Sequence, residues 1–230
     1  MGFGRENKMR IKLINTNLIL ALFVFGFVFP FTVLSAVSEE NNILNVFNAY
    51  KRALKTKNGV QAATLVSTQT MNYYENLRKN VLDANAEEMK TLPIMEAMTV
   101  LILRHHLSAS ELRRMDGKQL FIHSVNQGWV SENSVENVRL GEVTVKGNVA
   151  IANVISRGKK RKNMFPFSKQ QGAWKLDLGV MMNDMGREMD AGFRRLAQTN
   201  GMSEQELVEV LVEKATGMKV TSELWQRPSD

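Results

Sequence analysis

The sequence predicts an α+β fold, and three observations carry that reading. From Ile43 to Val125 apolar residues recur at helical spacing, whereas from Val135 to Val180 the period changes to two before a helical pattern returns. Asn85 with Glu88, Ser108 with Glu111, Asp116 with Gln119 and Ser203 with Glu206 each place a short polar acceptor three residues ahead of a Glu or Gln. Such pairs close capping boxes, so they mark four helix starts independently of periodicity.

Residues 1–36 stand apart. Arg5, Lys8, Arg10 and Lys12 precede the uncharged apolar run Leu18 to Phe29, which Pro30 breaks ahead of Leu34-Ser35-Ala36. A basic segment, an apolar segment and small residues at a cut site are the order of an export signal, which predicts cleavage after Ala36 and work outside the cytoplasm, in the periplasm. A start at Met9 gives this leader an ordinary length. The competing reading is a retained anchor in the inner membrane, with membrane contact through the N-terminal segment. Leu18 to Leu34 spans about 26 Å as a helix, slightly short of a bilayer core of roughly 30 Å.

The remaining 194 residues suit one α+β domain over 37–200 followed by a C-terminal helix and tail over 201–230. Ile43, Val46, Phe47, Tyr50 and Leu54 fall on one stripe, with Lys51, Arg52 and Lys55 turned away, and predict a first helix ending near Asn58-Gly59. Short helices over Val60–Val66 and Thr70–Leu82 follow. Pro93 separates helices over Ala86–Thr91 and Ile94–His106. In the strand region Val138 and Leu140 alternate, Gly141-Glu142 shifts the phase as a bulge does, and Lys146-Gly147-Asn148 turns the chain. Strands over Val149–Ser156, Asn163–Lys169 and Ala173–Val180 complete a four-stranded antiparallel meander. In the last of them Trp174, Leu176 and Leu178 face one way, and Lys175 and Asp177 the other. Helices must cover the apolar face. Met181–Asn200 and Glu204–Thr216 read as further helices, with Gly201 and Gly217 where helix ends need positive φ.

The leader carries four of the 30 basic and one of the 23 acidic residues, which leaves the remainder at a net +4. Four of those positives are consecutive: Lys159, Lys160, Arg161 and Lys162. They read as a solvated hairpin loop between two strands, or as an interaction patch for an acidic partner or anionic headgroups. Outside this run the charges balance, which argues against a nucleic-acid partner. The absence of cysteine removes disulfides and thiol chemistry.

Catalytic and metal signals are sparse. No HExxH, Gly-rich phosphate loop or GxSxG pattern occurs, so no cofactor or metal is expected. His105 and His106 sit where a helix C-terminus favours a cation, and His123 has no ligand partner by spacing. Met181, Met185 and Met189 share a helical face that thioether-bound Cu(I) could use. Phe193 and Leu196 continue the stripe, however, and the expected role is packing.

A long amphipathic helix, short helices and an antiparallel sheet ending in GAWKLDL resemble the nuclear transport factor 2-like superfamily over roughly residues 40–180. The helical segment between Ala84 and Gly128 and the C-terminal helices are additions to that pattern. The resemblance implies a cone-shaped cavity under a curved sheet, used by different members for catalysis or for binding. Phe47, Tyr50, Tyr74 and Trp174 are the expected lining. Tyr73, Tyr74, His123 and Asp177 are the candidates if the cavity is catalytic, although Asp177 should face away from the apolar side, and Tyr73 and Tyr74 should not both enter one cavity. The expected function is an exported, non-catalytic module binding a small apolar ligand or an envelope protein. The alternatives are an isomerase- or dehydratase-type enzyme and an anchored component of an envelope or secretion complex.

Overall fold

The computed structural model describes the backbone of residues 31–131, 133 and 135–229, and side chains from Val37 onward apart from those of Asn163 and Met185. The apolar core of the expected leader, Leu18 to Phe29, lies outside the described residues. The chain divides after Val37, and the unit from Ser38 onward is an α+β domain with its helices in two blocks around a four-stranded sheet.

Helix α1 (Phe31–Lys55) leads into α2 (Gly59–Leu65) and α3 (Thr68–Asp83); α4 (Ala86–Thr91), α5 (Ile94–His106), α6 (Ala109–Arg113) and α7 (Gly117–Gln127) follow. The expected capping boxes are all formed: those at Asn85, Ser108 and Asp116 start α4, α6 and α7, and that at Ser203 starts α9 (Glu204–Thr216). Each box satisfies two otherwise orphaned backbone donors, which is why helices of only five or six residues stop and restart so sharply here. Gly128 and Gly217 end α7 and α9 at φ of 79° and 71°, a conformation that costs a residue with a Cβ.

Strands β1 (Val138–Lys146), β2 (Val149–Ser156), β3 (Lys159–Gln170) and β4 (Ala173–Leu176) form an antiparallel meander in that order. The register of β1 on β2 shifts between Leu140 and Val143, where the bulge was expected, and a second shift lies opposite Asn153–Ile155, where β3 carries two extra residues between Lys160 and Met164. No described helix is long and apolar enough to cross a membrane.

Two expectations fail at strand ends. Lys159–Lys162 is not a loop: Arg157 and Gly158, at φ of 51° and 73°, make the turn, and Lys159 and Lys160 already pair with Ser156 and Ile155. Two central residues at positive φ suffice for a tight hairpin, and the charged side chains ride on the strand that follows. The last strand also stops early. Leu178 is not on it; α8 (Leu178–Thr199) begins there, with Asp177 as its N-cap accepting from the Val180 N–H at 3.4 Å. Asp177 is buried rather than turned to solvent. The buried Thr70 hydroxyl explains the break, since it accepts the Leu178 and Gly179 N–H groups at 3.0 and 3.3 Å. Those donors are thereby committed to a helix start.

The buried side chains fall into two clusters. One lies between the sheet and α1, α2 and α7, and includes Ile43, Phe47, Tyr50, Phe121, Phe165, Phe167 and Trp174. The other is wholly helical, built from α3 to α7, α9 and the short 3-10 turn Ser222–Trp225, around Val81, Met89, Leu101, Leu112 and Val212. Arg104 ties the second together. Its guanidinium is buried and donates to the carbonyls of Asn80, Val81, Ala84 and Leu224 at 2.5–3.2 Å, capping the end of α3 and pinning the C-terminal tail. Burial pulls its pKa below the ordinary guanidinium value.

Candidate functional site

Between the sheet and the helices lies a cavity of about 540 Å³. Its floor is formed by the sheet: Val138 from β1, Val154 and Ser156 from β2, and Arg161, Met164 and Phe165 from β3, Met164 also bordering a second cleft with Lys162 and Pro166. One wall is Tyr50 of α1 with Tyr73 and Tyr74 of α3; another is Leu178, Met181 and Met182 at the start of α8. Trp129, Val130 and Val135, from the loop between α7 and β1, form the rim. None of the 15 described lining residues is Asp, Glu or His.

The three tyrosines dominate the polar chemistry. Burial raises the pKa of each: Tyr73 is pushed up to about 12, with Glu96 adding to the effect, and Tyr50 and Tyr74 go higher. All three hydroxyls therefore keep their protons at any physiological pH and act as neutral donors and acceptors. Tyr50 is only 2% exposed and lines the cavity from α1. The ring of Tyr74 stands edge-on to Phe121 and Tyr73, at centroid distances of 5.0 and 5.6 Å. Adjacent residues of one helix thus both line one cavity, against expectation. The cavity wraps the α3 face through more than the 100° that separates them, and Tyr73 also borders a cleft against α5 and α8.

The other expected site residues are dispersed. Phe47 does not line the cavity; it packs beside it in the core between sheet and helices, its ring 5.1 Å from that of Phe165. Trp174 is buried at the far side of the sheet core, where its indole N–H donates to Glu39 and Lys169 bonds the same carboxylate at 2.5 Å. These two hydrogen bonds, that from Lys169 first, hold Glu39 below the ordinary carboxylate range. Of the basic run only Arg161 lines the cavity; Lys162 lines a shallow cleft on the opposite face of the sheet.

His106 and His123 flank the rim residue Trp129 at ring distances of 5.3 and 5.2 Å, and His105 contacts Met218. Among the described residues no group of three His, Asp or Glu side chains is placed to hold a metal. The methionine stripe departs from expectation too: Met181 packs on the sheet core, but Met189 and Leu196 are exposed. The sequence reading misses Trp129, Val130 and Val135, which lie on a connection with no periodicity to show their facing, and it places Arg161 in a surface patch rather than a cavity.

Compared with protein-family models, with curated proteins and with solved structures, the chain gives no match.

Proposed function

We propose that this protein is an exported, non-catalytic binding module that holds a small, largely apolar ligand between its sheet and the α3 and α8 helices. The observation that carries the reading is the composition of the cavity: valine, leucine, methionine and aromatic side chains around a few neutral hydroxyls and one guanidinium, with a volume inside the roughly 300–1,000 Å³ of small-molecule sites. Acid/base work needs an ionisable group within hydrogen-bond reach of the reacting proton, and tyrosines held far above neutral pKa are poor proton carriers. The two ionisable candidates other than tyrosine, His123 and Asp177, are engaged outside the cavity: His123 faces Trp129, and Asp177 caps α8.

We further propose that the fold is a nuclear transport factor 2-like cone; a curved antiparallel meander with the first long helix packed on it and a cavity between sheet and helices supports this. Export rests on the basic–apolar–small order of residues 5–36.

An environment-sensitive apolar dye tests the binding function. The full chain should bind it with a saturable fluorescence rise, and Val154→Trp, which fills the floor, should abolish the rise while circular dichroism shows the fold retained. An undiminished signal in the folded variant would place the dye elsewhere and refute the cavity as the site. Accumulation of uncleaved protein in the cytoplasm of the native host would refute export by cleavage.

A further inference from the structure

If the cavity holds a small ligand as proposed, its polar edge selects the class of that ligand. Successive residues of a strand point to opposite faces of the sheet. Arg161 lines the cavity, whereas Lys162 lines the cleft on the other face with Ile151 and Pro166. A single guanidinium therefore borders a wall made of valine, methionine and aromatic side chains. No described acidic residue neutralises it. Ser156 lines the cavity from the paired strand, and its cross-strand partner Lys159 stands on the same face of the sheet, so the positive edge extends to the hairpin tip. The opposite wall offers only the neutral hydroxyls of Tyr50, Tyr73 and Tyr74.

An uncharged hydrocarbon would fill the floor and leave the guanidinium unused. A carboxylate or phosphate at the same edge gains charge-assisted, bidentate hydrogen bonds from a planar fork that matches its geometry. We infer that the ligand is an anionic amphiphile, with a single apolar chain or small ring skeleton in the cavity and its carboxylate or phosphate head on Arg161.

The test is displacement of the bound apolar dye from the full chain by three probes of matched chain length: palmitate, palmitoyl lysophosphatidate and neutral hexadecanol. The inference expects one or both anionic probes to bind the native protein about tenfold or more tighter than hexadecanol. That advantage should disappear in Arg161→Met, which keeps an apolar stem of similar reach, and persist in Lys160→Met, one residue away on the opposite face. Preference for palmitate points to a fatty acid, and preference for the lysophosphatidate to a lipid phosphate; either supports the inference. Equal affinity for charged and neutral probes, or an advantage that survives Arg161→Met or falls equally in Lys160→Met, overturns it and leaves the apolar cavity standing. Failure of all three to displace the dye overturns the cavity reading as well.

Discussion

Thr70→Val should cost more than any other isosteric change near the cavity. The residue is fully buried, and its hydroxyl oxygen accepts the Leu178 N–H at 3.0 Å and the Gly179 N–H at 3.3 Å while lying 3.4 Å from the Leu176 carbonyl. Valine has the same shape but no acceptor, so two first-turn donors of α8 lose their partner in a place water cannot reach. Orphaning a buried donor costs roughly 1–3 kcal/mol, and partial relief by the Asp177 carboxylate holds the sum to about 2–4 kcal/mol. Thr70→Ser keeps the oxygen and loses one methyl, at about 1 kcal/mol. Urea unfolding followed by circular dichroism reads both, as a midpoint shift at constant slope. Because α8 carries Leu178, Met181 and Met182 into the cavity, the valine variant should also weaken dye binding. A valine cost below about 0.5 kcal/mol, or one equal to that of serine, would refute the role given to the hydroxyl.

Arg104→Met should destabilise the domain by about 3 kcal/mol or more, since four carbonyls lose a charged donor, and proteolysis should then clip the tail near Leu224 faster than in the native protein. The carboxyl of Glu39 sits below its ordinary value in the fold, so its stabilisation is present above the ordinary carboxylate range and is lost as pH falls through the depressed folded value. Glu39→Gln should accordingly be the less stable protein at neutral pH and match the native one in acid; a gap that ignores pH would exclude the pairing with Lys169 and Trp174. Trp174→Ala should cost about 3–5 kcal/mol and Lys175→Ala less than about 1 kcal/mol, because the indole is 4% exposed and the lysine reaches out to the Thr64 carbonyl. Similar denaturation midpoints for the two would contradict the facing of β4.

What could be read from the sequence was set by how local the cause is. A capping box closes within four residues, so all four starts are visible in the chain, and the two-residue periodicity of Val149–Ser156 sits between turns that fix its ends. The junction after Leu176 is different. Trp174, Leu176 and Leu178 keep alternating as a strand would, and Asp177 lacks the Glu or Gln three residues on, Val180 standing there instead. The helix start is decided by Thr70, which lies 108 residues from its partner Leu178. The basic run is concealed by the opposite effect: charged residues are poor strand formers, yet the tight turn at Arg157-Gly158 leaves them no position except the strand. At the cavity, Tyr50 and Tyr74 are legible because they lie on helical stripes. Arg161 is not, because only the folded sheet shows it lining the cavity while Lys162 lines a different cleft.

That the cavity persists at all follows from where its walls are anchored. A void lined by flexible apolar side chains tends to close, because close packing gains dispersion contacts. Here each wall is held from behind. Tyr74 packs against both clusters and is braced edge-on by Phe121, so it cannot swing inward without opening the helical core. Phe165 is held by Phe47 on its far side, and Leu178 by the bonds from its own N–H and that of Gly179 to Thr70. Gly179 cannot retreat to accommodate a shift either, since a Cβ there would lie 2.6 Å from the Gln69 carbonyl oxygen and the two backbones are already in contact. Met164, Met181 and Met182, with their unbranched thioether chains, can adapt to an occupant. The cavity is therefore braced at its aromatic walls and adjustable at its methionines, which suits a ligand class of one head chemistry and variable apolar bodies better than a single rigid substrate.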